Sequence, residues 1–213
     1  MSLRKVAVLV CASFLILAAV GCSEGSDKDD DGPRTLLEFV GRIDQDGERF
    51  NFYGYVAHVD GVEDSVLFTS QSTHNETTAR LILSTRATMT GRAILENIFS
   101  VDASGDIGFY FNEAGGAKID DPTSFTRGTK AGGAAAKFHN IITVIAPNQG
   151  LSQGTGDLTF AEALTIKYSG KSYTIVPKGT NARIFATGSG TRLEPVAPRA
   201  TILVSGDIVA NGK

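Results

Sequence analysis

Thr78-Ala79-Arg80-Leu81-Ile82-Leu83-Ser84-Thr85-Arg86-Ala87-Thr88-Met89-Thr90 alternates with a period of two. Ala79, Leu81, Leu83, Ala87 and Met89 share one side, and Arg80, Ser84, Arg86 and Thr88 share the other, with Ile82 as the exception. Side chains of a strand point alternately to its two faces, so this segment is a strand with one apolar and one wet side. One-sided strands of this kind belong to antiparallel sheets.

The same period extends in both directions. Upstream lie Leu36 to Ile43, the turn Asp44-Gln45-Asp46-Gly47, a second strand from Glu48 to Val59 that ends at Asp60-Gly61, and a third from Ser65 to Thr69. Downstream the candidates are Ala93 to Val101, Asp106 to Phe111, Ala136 to Ala146, Thr155 to Tyr168, Ser172 to Val176, Ala182 to Thr191 and Thr201 to Ala210. Turns are expected at Ser104-Gly105, Asn148-Gln149-Gly150, Ser169-Gly170 and Pro195 to Pro198. All six prolines fall between strands or at their ends, as a ladder that needs every N–H requires. Many short strands with no long helical period predict an all-β chain, an antiparallel β-barrel or a β-sandwich of about 8–10 strands. Asn112 to Gly133 breaks the pattern, with Gly115-Gly116, Asp120-Asp121-Pro122 and Gly132-Gly133. A loop of that length is often a lid or binding loop, but a disordered insertion or a short helix around Thr129 to Lys137 is the favoured reading.

The N-terminus has a different organisation. Arg4 and Lys5 precede an uncharged run from Val6 to Val20. That run is short for a spanning helix, which needs about 20 apolar residues, and it suits the apolar region of an export signal. Ala19-Val20-Gly21-Cys22 resembles the lipobox of bacterial lipoproteins, with Ala19 where the family usually has Leu. The resemblance implies cleavage before Cys22, acylation of its thiol, and attachment to a lipid bilayer in the cell envelope. Ser23 after the cysteine resembles lipoproteins sent to the outer membrane of Gram-negative cells, with the domain in or facing the periplasm. Two fatty chains give stable anchoring where one is marginal. The expected division is a signal peptide over 1–21, a lipidated acidic tether over 22–34, and one β domain over 35–213.

Removal of residues 1–21 takes away Arg4, Lys5 and no acids, moving the net charge from −3 to −5. An acidic surface disfavours nucleic acid, whose binding needs Lys and Arg against phosphate. Cys22 is then the only thiol, which excludes a disulfide framework and a cysteine-ligated zinc site. In the tether, Asp27, Asp29, Asp31, Gly32 and Glu38 match the acid and glycine spacing of a calcium loop. Against a site stand Arg34 at a normally apolar position and Glu38 within the first strand, so a solvated acidic spacer is the simpler reading.

Gly154-Thr155-Gly156-Asp157-Leu158-Thr159-Phe160-Ala161-Glu162-Ala163 resembles the Gly-Thr-Gly-x-Phe-x-x-Ala-x-Gly stretch of dirigent and allene oxide cyclase-like barrels. Leu158 replaces the aromatic residue and Ala163 the last glycine. The likeness implies an eight-stranded barrel whose apolar mouth takes a small hydrophobic molecule. Candidate ligand-binding residues are Phe52, Tyr55, His58 and Glu162. His58 alternates with Phe50, Phe52 and Val56, while Glu162 shares parity with Leu158, Phe160, Leu164 and Ile166. A carboxylate held in a core would have its pKa raised, although a bulge turning Glu162 outward is the favoured alternative. His139 lies on a mixed face and His74 in a polar loop, and no two histidines have ligand spacing. Gly188-Ser189-Gly190 lacks the frame of a nucleophile elbow. The sequence therefore points to a non-catalytic envelope domain that binds a small apolar ligand or an envelope partner. The alternatives are a barrel isomerase or cyclase using His58 or Glu162, and a surface module exposing the aromatic side of Glu48 to Val59.

Overall fold

The computed structural model describes residues 32–194 and 198–210. Ten strands form: β1 (Arg34–Asp46), β2 (Arg49–His58), β3 (Leu81–Leu95), β4 (Ile98–Phe111), β5 (Thr129–Ala146), β6 (Gln149–Thr159), β7 (Leu164–Tyr168), β8 (Lys171–Val176), β9 (Asn181–Glu194) and β10 (Arg199–Ala210). Eight of them close into an antiparallel barrel in the order β1-β10-β9-β6-β5-β4-β3-β2. The remaining pair, β7 and β8, is a hairpin inserted between β6 and β9. Each barrel strand pairs with its sequence neighbour, and β1 meets β10 from Arg34↔Ala210 to Asp46↔Arg199. Closure leaves the eight-stranded sheet without an edge strand. Barrel, rather than sandwich, is the architecture.

The two ends of the barrel differ. At one end β1–β2, β3–β4, β5–β6 and β9–β10 are joined by short connections. At the other, three long connections close the opening: the one after β6 folds inward, with Phe160 on inward Phe109, while those before β3 and β5 pack Phe68 and Phe125 on the adjoining outer wall. Their buried apolar residues include Val66, Leu67 and Phe68 before β3, Phe125 before β5, and Phe160 and Leu164 after β6. Burying a phenylalanine or leucine stabilises by about 1.5–3 kcal/mol. Arg80 knits this end together: its guanidinium donates to the carbonyls of Ser65 (2.6 Å), Phe68 and Glu113 (2.9 Å) and lies 4.6 Å from the centre of the Tyr168 ring. The buried core residues described run from Leu36 to Ile208, with Ala210 packed against them.

Several sequence readings are corrected. Ser65 to Thr69 is not a strand: Asp64–Leu67 forms one helical turn, and only Phe68 bridges, to Ala79. Ala93 to Val101 is not continuous, because the chain reverses at Glu96-Asn97, with Glu96 in the left-handed region (φ 52°). Ser104-Gly105 is no turn but lies within β4. Thr155 to Tyr168 splits between β6 and β7.

The segment from Asn112 to Gly133 is not a disordered insertion. It holds a 3-10 turn at Pro122–Thr126, and its last residues already belong to β5, so no helix forms there. Phe125 is fully buried against Tyr53 on the outer side of β2, with ring centroids 5.3 Å apart. Ile82, the residue that breaks the alternation of β3, is buried on that same outer side beside Tyr55 and Tyr110.

That segment forms a strap over the outside of β2, and Tyr53 beneath it belongs to an outer-wall network. Tyr53 donates its phenolic proton to Asp44, which also accepts from Arg42 Nε (2.8 Å) and Thr201 Oγ1 (3.1 Å). Burial first, then the Asp44 carboxylate, pushes the Tyr53 hydroxyl well above its ordinary pKa of 10. Burial, then Glu76, raises that of Tyr55. In the unfolded chain both ionise near pH 10 while the folded chain resists, so their contribution is intact below that pH and is lost as pH rises. Denaturation followed from pH 8 to 12 should show stability falling above pH 10. Tyr53→Phe should be less stable at pH 8 by about 1 kcal/mol but fall less steeply above pH 10.

Candidate functional site

The inside of the barrel is where the small residues collect. Alternation sends Phe39 and Ile43 of β1, Phe52 of β2, Thr85 and Ala87 of β3, Val101 and Ala103 of β4, and Phe138 and Asn140 of β5 inward. On the facing wall, Ser152 and Gly154 of β6 and Ala186 of β9 project little or nothing. Eight strands give an interior that side chains can only just fill. Short side chains on one wall therefore leave a space: a cavity of about 110 Å³, lined almost wholly by apolar atoms.

A second space of about 200 Å³ lies at the end with the short connections. Its walls include Met89, Arg92, Phe99, Val144, Arg192 and Arg199. The two spaces share Val101, Ser152 and Ile202, so the second is the mouth of the first. Arg199 Nη1 is paired with Glu194 at 3.0 Å. The chain enters the barrel at Arg34 and leaves at Ala210 at the plugged end, away from the mouth.

Three polar side chains stand on the inner face at mid-barrel. Ser152 donates its hydroxyl to Asn140 Oδ1 at 2.9 Å, so these two partner each other. Thr85 is 3% exposed, and no protein atom is within hydrogen-bonding reach of its Oγ1. His139 borders the cavity, but its Nδ1 bonds Asp102 Oδ1 (2.7 Å) on the outer wall.

Of the four ligand-binding candidates, only Phe52 lines the cavity. Tyr55 alternates to the outer face, where its ring meets Phe68 at 6.3 Å in an edge-on contact. His58 is exposed, because β2 is bulged opposite Glu38 and Phe39: Val56 pairs with inward Phe39, and His58 pairs with outward Glu38. The extra residue reverses the parity on which the inward reading rested. Glu162 is exposed, in the bend between β6 and β7 and so outside both strands, not turned outward by a bulge within one. Neither of the two residues proposed for isomerase chemistry reaches the interior. The aromatic outer side of β2 is likewise not presented to solvent: Phe125 covers Tyr53, and Tyr55 is half-buried on Phe68.

Cys22, Asp27, Asp29 and Asp31 lie outside the described residues; Glu38 is an exposed residue of β1. Among the described residues no group of three or more His, Cys, Asp or Glu is placed to hold a metal ion. The sequence missed Thr85, Ala186 and the Asn140–Ser152 pair. Each looks like an ordinary strand residue until strand pairing brings it to the cavity.

Fold and site together define an eight-stranded antiparallel barrel with one plugged end, one open end and an apolar interior cavity. Protein-family models, curated proteins and solved structures contain no match to the chain.

Proposed function

We propose that this chain is a lipid-anchored protein of the bacterial cell envelope whose barrel holds a small apolar ligand without transforming it. The observation that carries the binding half is the apolar cavity and its open mouth. An enclosed apolar space with few polar groups is the usual form of a small-molecule site. The anchoring half draws on Ala19-Val20-Gly21-Cys22 and the uncharged run before it. Attachment at the plugged end suits this role, since a tether there leaves the mouth free for exchange.

Mass spectrometry of the protein isolated from bacterial membranes tests both halves. Denatured, the chain should begin at residue 22 and carry fatty acyl mass. Under native conditions it should carry an additional, releasable apolar molecule. A free thiol at residue 22 removes the anchor. Identical native and denatured masses, together with no uptake of an apolar fluorescent dye, remove the ligand.

A second reading, docking of an envelope partner, draws on the outer wall. Leu203 of β10 and Leu151 of β6 flank Ser189 of β9 in one register row, with Val40 close by, all exposed. A partner seated there would be released by Leu203→Ser with Leu151→Ser, while dye uptake stayed unchanged.

A further inference from the structure

We infer that the cavity selects an uncharged apolar ligand bearing a carbonyl or ether oxygen, which accepts a hydrogen bond from Thr85. This deepens the ligand-binding reading and rests on it.

Thr85 points inward with Leu83 and Ala87 on β3, and its register neighbours are Phe52 and Ile107. None of these side chains offers an acceptor. Ser152 and Asn140, the other polar residues inside, are engaged with each other. The Thr85 hydroxyl is thus a buried donor without a protein partner in the wall of an apolar cavity, and a turn about χ1, which exchanges hydroxyl and methyl, is what presents it to a ligand. Buried hydroxyls are nearly always bonded, and an unmade bond at such depth is destabilising. Valine has almost the same shape and would leave nothing unsatisfied. A threonine here is accounted for by an acceptor that arrives with the ligand.

The character of that acceptor follows from the lining. No Lys or Arg borders the inner cavity, and the only ionisable residue there, His139, turns its ring to Asp102 outside. A carboxylate or phosphate at Thr85 would be stripped of water with no counter-charge, so the oxygen is neutral. Size gives a further bound. A dry cavity of about 150 Å³ holds benzene. The 110 Å³ interior therefore takes a short apolar segment with the oxygen beside it, and the rest of the ligand extends into the mouth.

The test compares two molecules of one shape, methyl hexyl ketone and the alkene in which C=CH2 replaces its C=O. Both are titrated by calorimetry into a chain beginning at Ser23, which keeps the whole barrel. Thr85→Val should change the ketone-to-alkene affinity ratio by about threefold to tenfold against the ketone, the worth of one neutral hydrogen bond. Thr85→Ser keeps a hydroxyl and should keep most of the preference. The ligand-free Thr85→Val protein should melt no lower than the parent, because the orphan donor is gone. If both molecules bind and the ratio is the same in parent and Thr85→Val, the Thr85 inference is overturned while ligand binding stands. If neither molecule binds the parent, the inference and the ligand-binding reading fall together.

Discussion

Gly206→Ala is expected to destabilise the barrel by about 3 kcal/mol or more, the upper part of the overpacking range. A Cβ at this position in β10 would overlap the carbonyl oxygen of Phe185 on β9 and crowd the Ala186 Cα at 2.8 Å. Those atoms are backbone, so no side chain can rotate out of the way. Gly105 in β4, four strands further round, meets the same obstruction from the Arg86 carbonyl and the Ala87 Cα. Glycines of this kind let a sheet coil tightly enough to close. At about 2–4 °C of melting temperature per kcal/mol, Gly206→Ala should melt about 6–12 °C lower or more. Gly47→Ala, at an exposed turn with no atom near the added methyl, should cost less despite its positive φ of 63°. Equal losses at the two sites would refute the closure argument.

The second large effect is on binding. Ala186→Leu adds three carbons to the β9 wall, directly across the barrel from Thr85 on β3. Those carbons occupy the space assigned to the ligand, so affinity for an apolar dye should fall by about a hundredfold, some 2.7 kcal/mol. Stability should change by less than about 1.5 kcal/mol, because the new contacts within the cavity offset crowding. Phe185→Ser, one residue earlier and on the exposed outer face, should leave dye binding unchanged. A dye that binds Ala186→Leu as tightly as the parent does not sit in the barrel.

Strand identity was readable because a period of two is written along each chain segment and needs no knowledge of neighbours. The body of β3 and the inward set Leu81, Leu83 and Ala87 were legible for that reason. Readings failed where local pattern and tertiary contact disagree. Ile82 broke the alternation because a strap from between β4 and β5 covers the outside of β3. Alternation points His58 inward, and the bulge that turns it outward by shifting parity by one has no local signature in an alternating run. Ser104-Gly105 resembled a turn because glycine serves two ends: reversing a chain, and letting two strands approach where a barrel bends.

That the chain is β and antiparallel, with about eight to ten strands, is legible from its residues alone, since one-sided alternation and turn residues are local properties of the chain. It also carries the N-terminal pattern on which the anchoring proposal rests. It is the folded ring that sets β1 against β10, closes one end, and leaves Thr85 lining a cavity without a protein partner. Those outcomes depend on which strands become neighbours around a closed ring, and residues more than 150 positions apart, such as Arg42 and Thr201, meet only once it has closed.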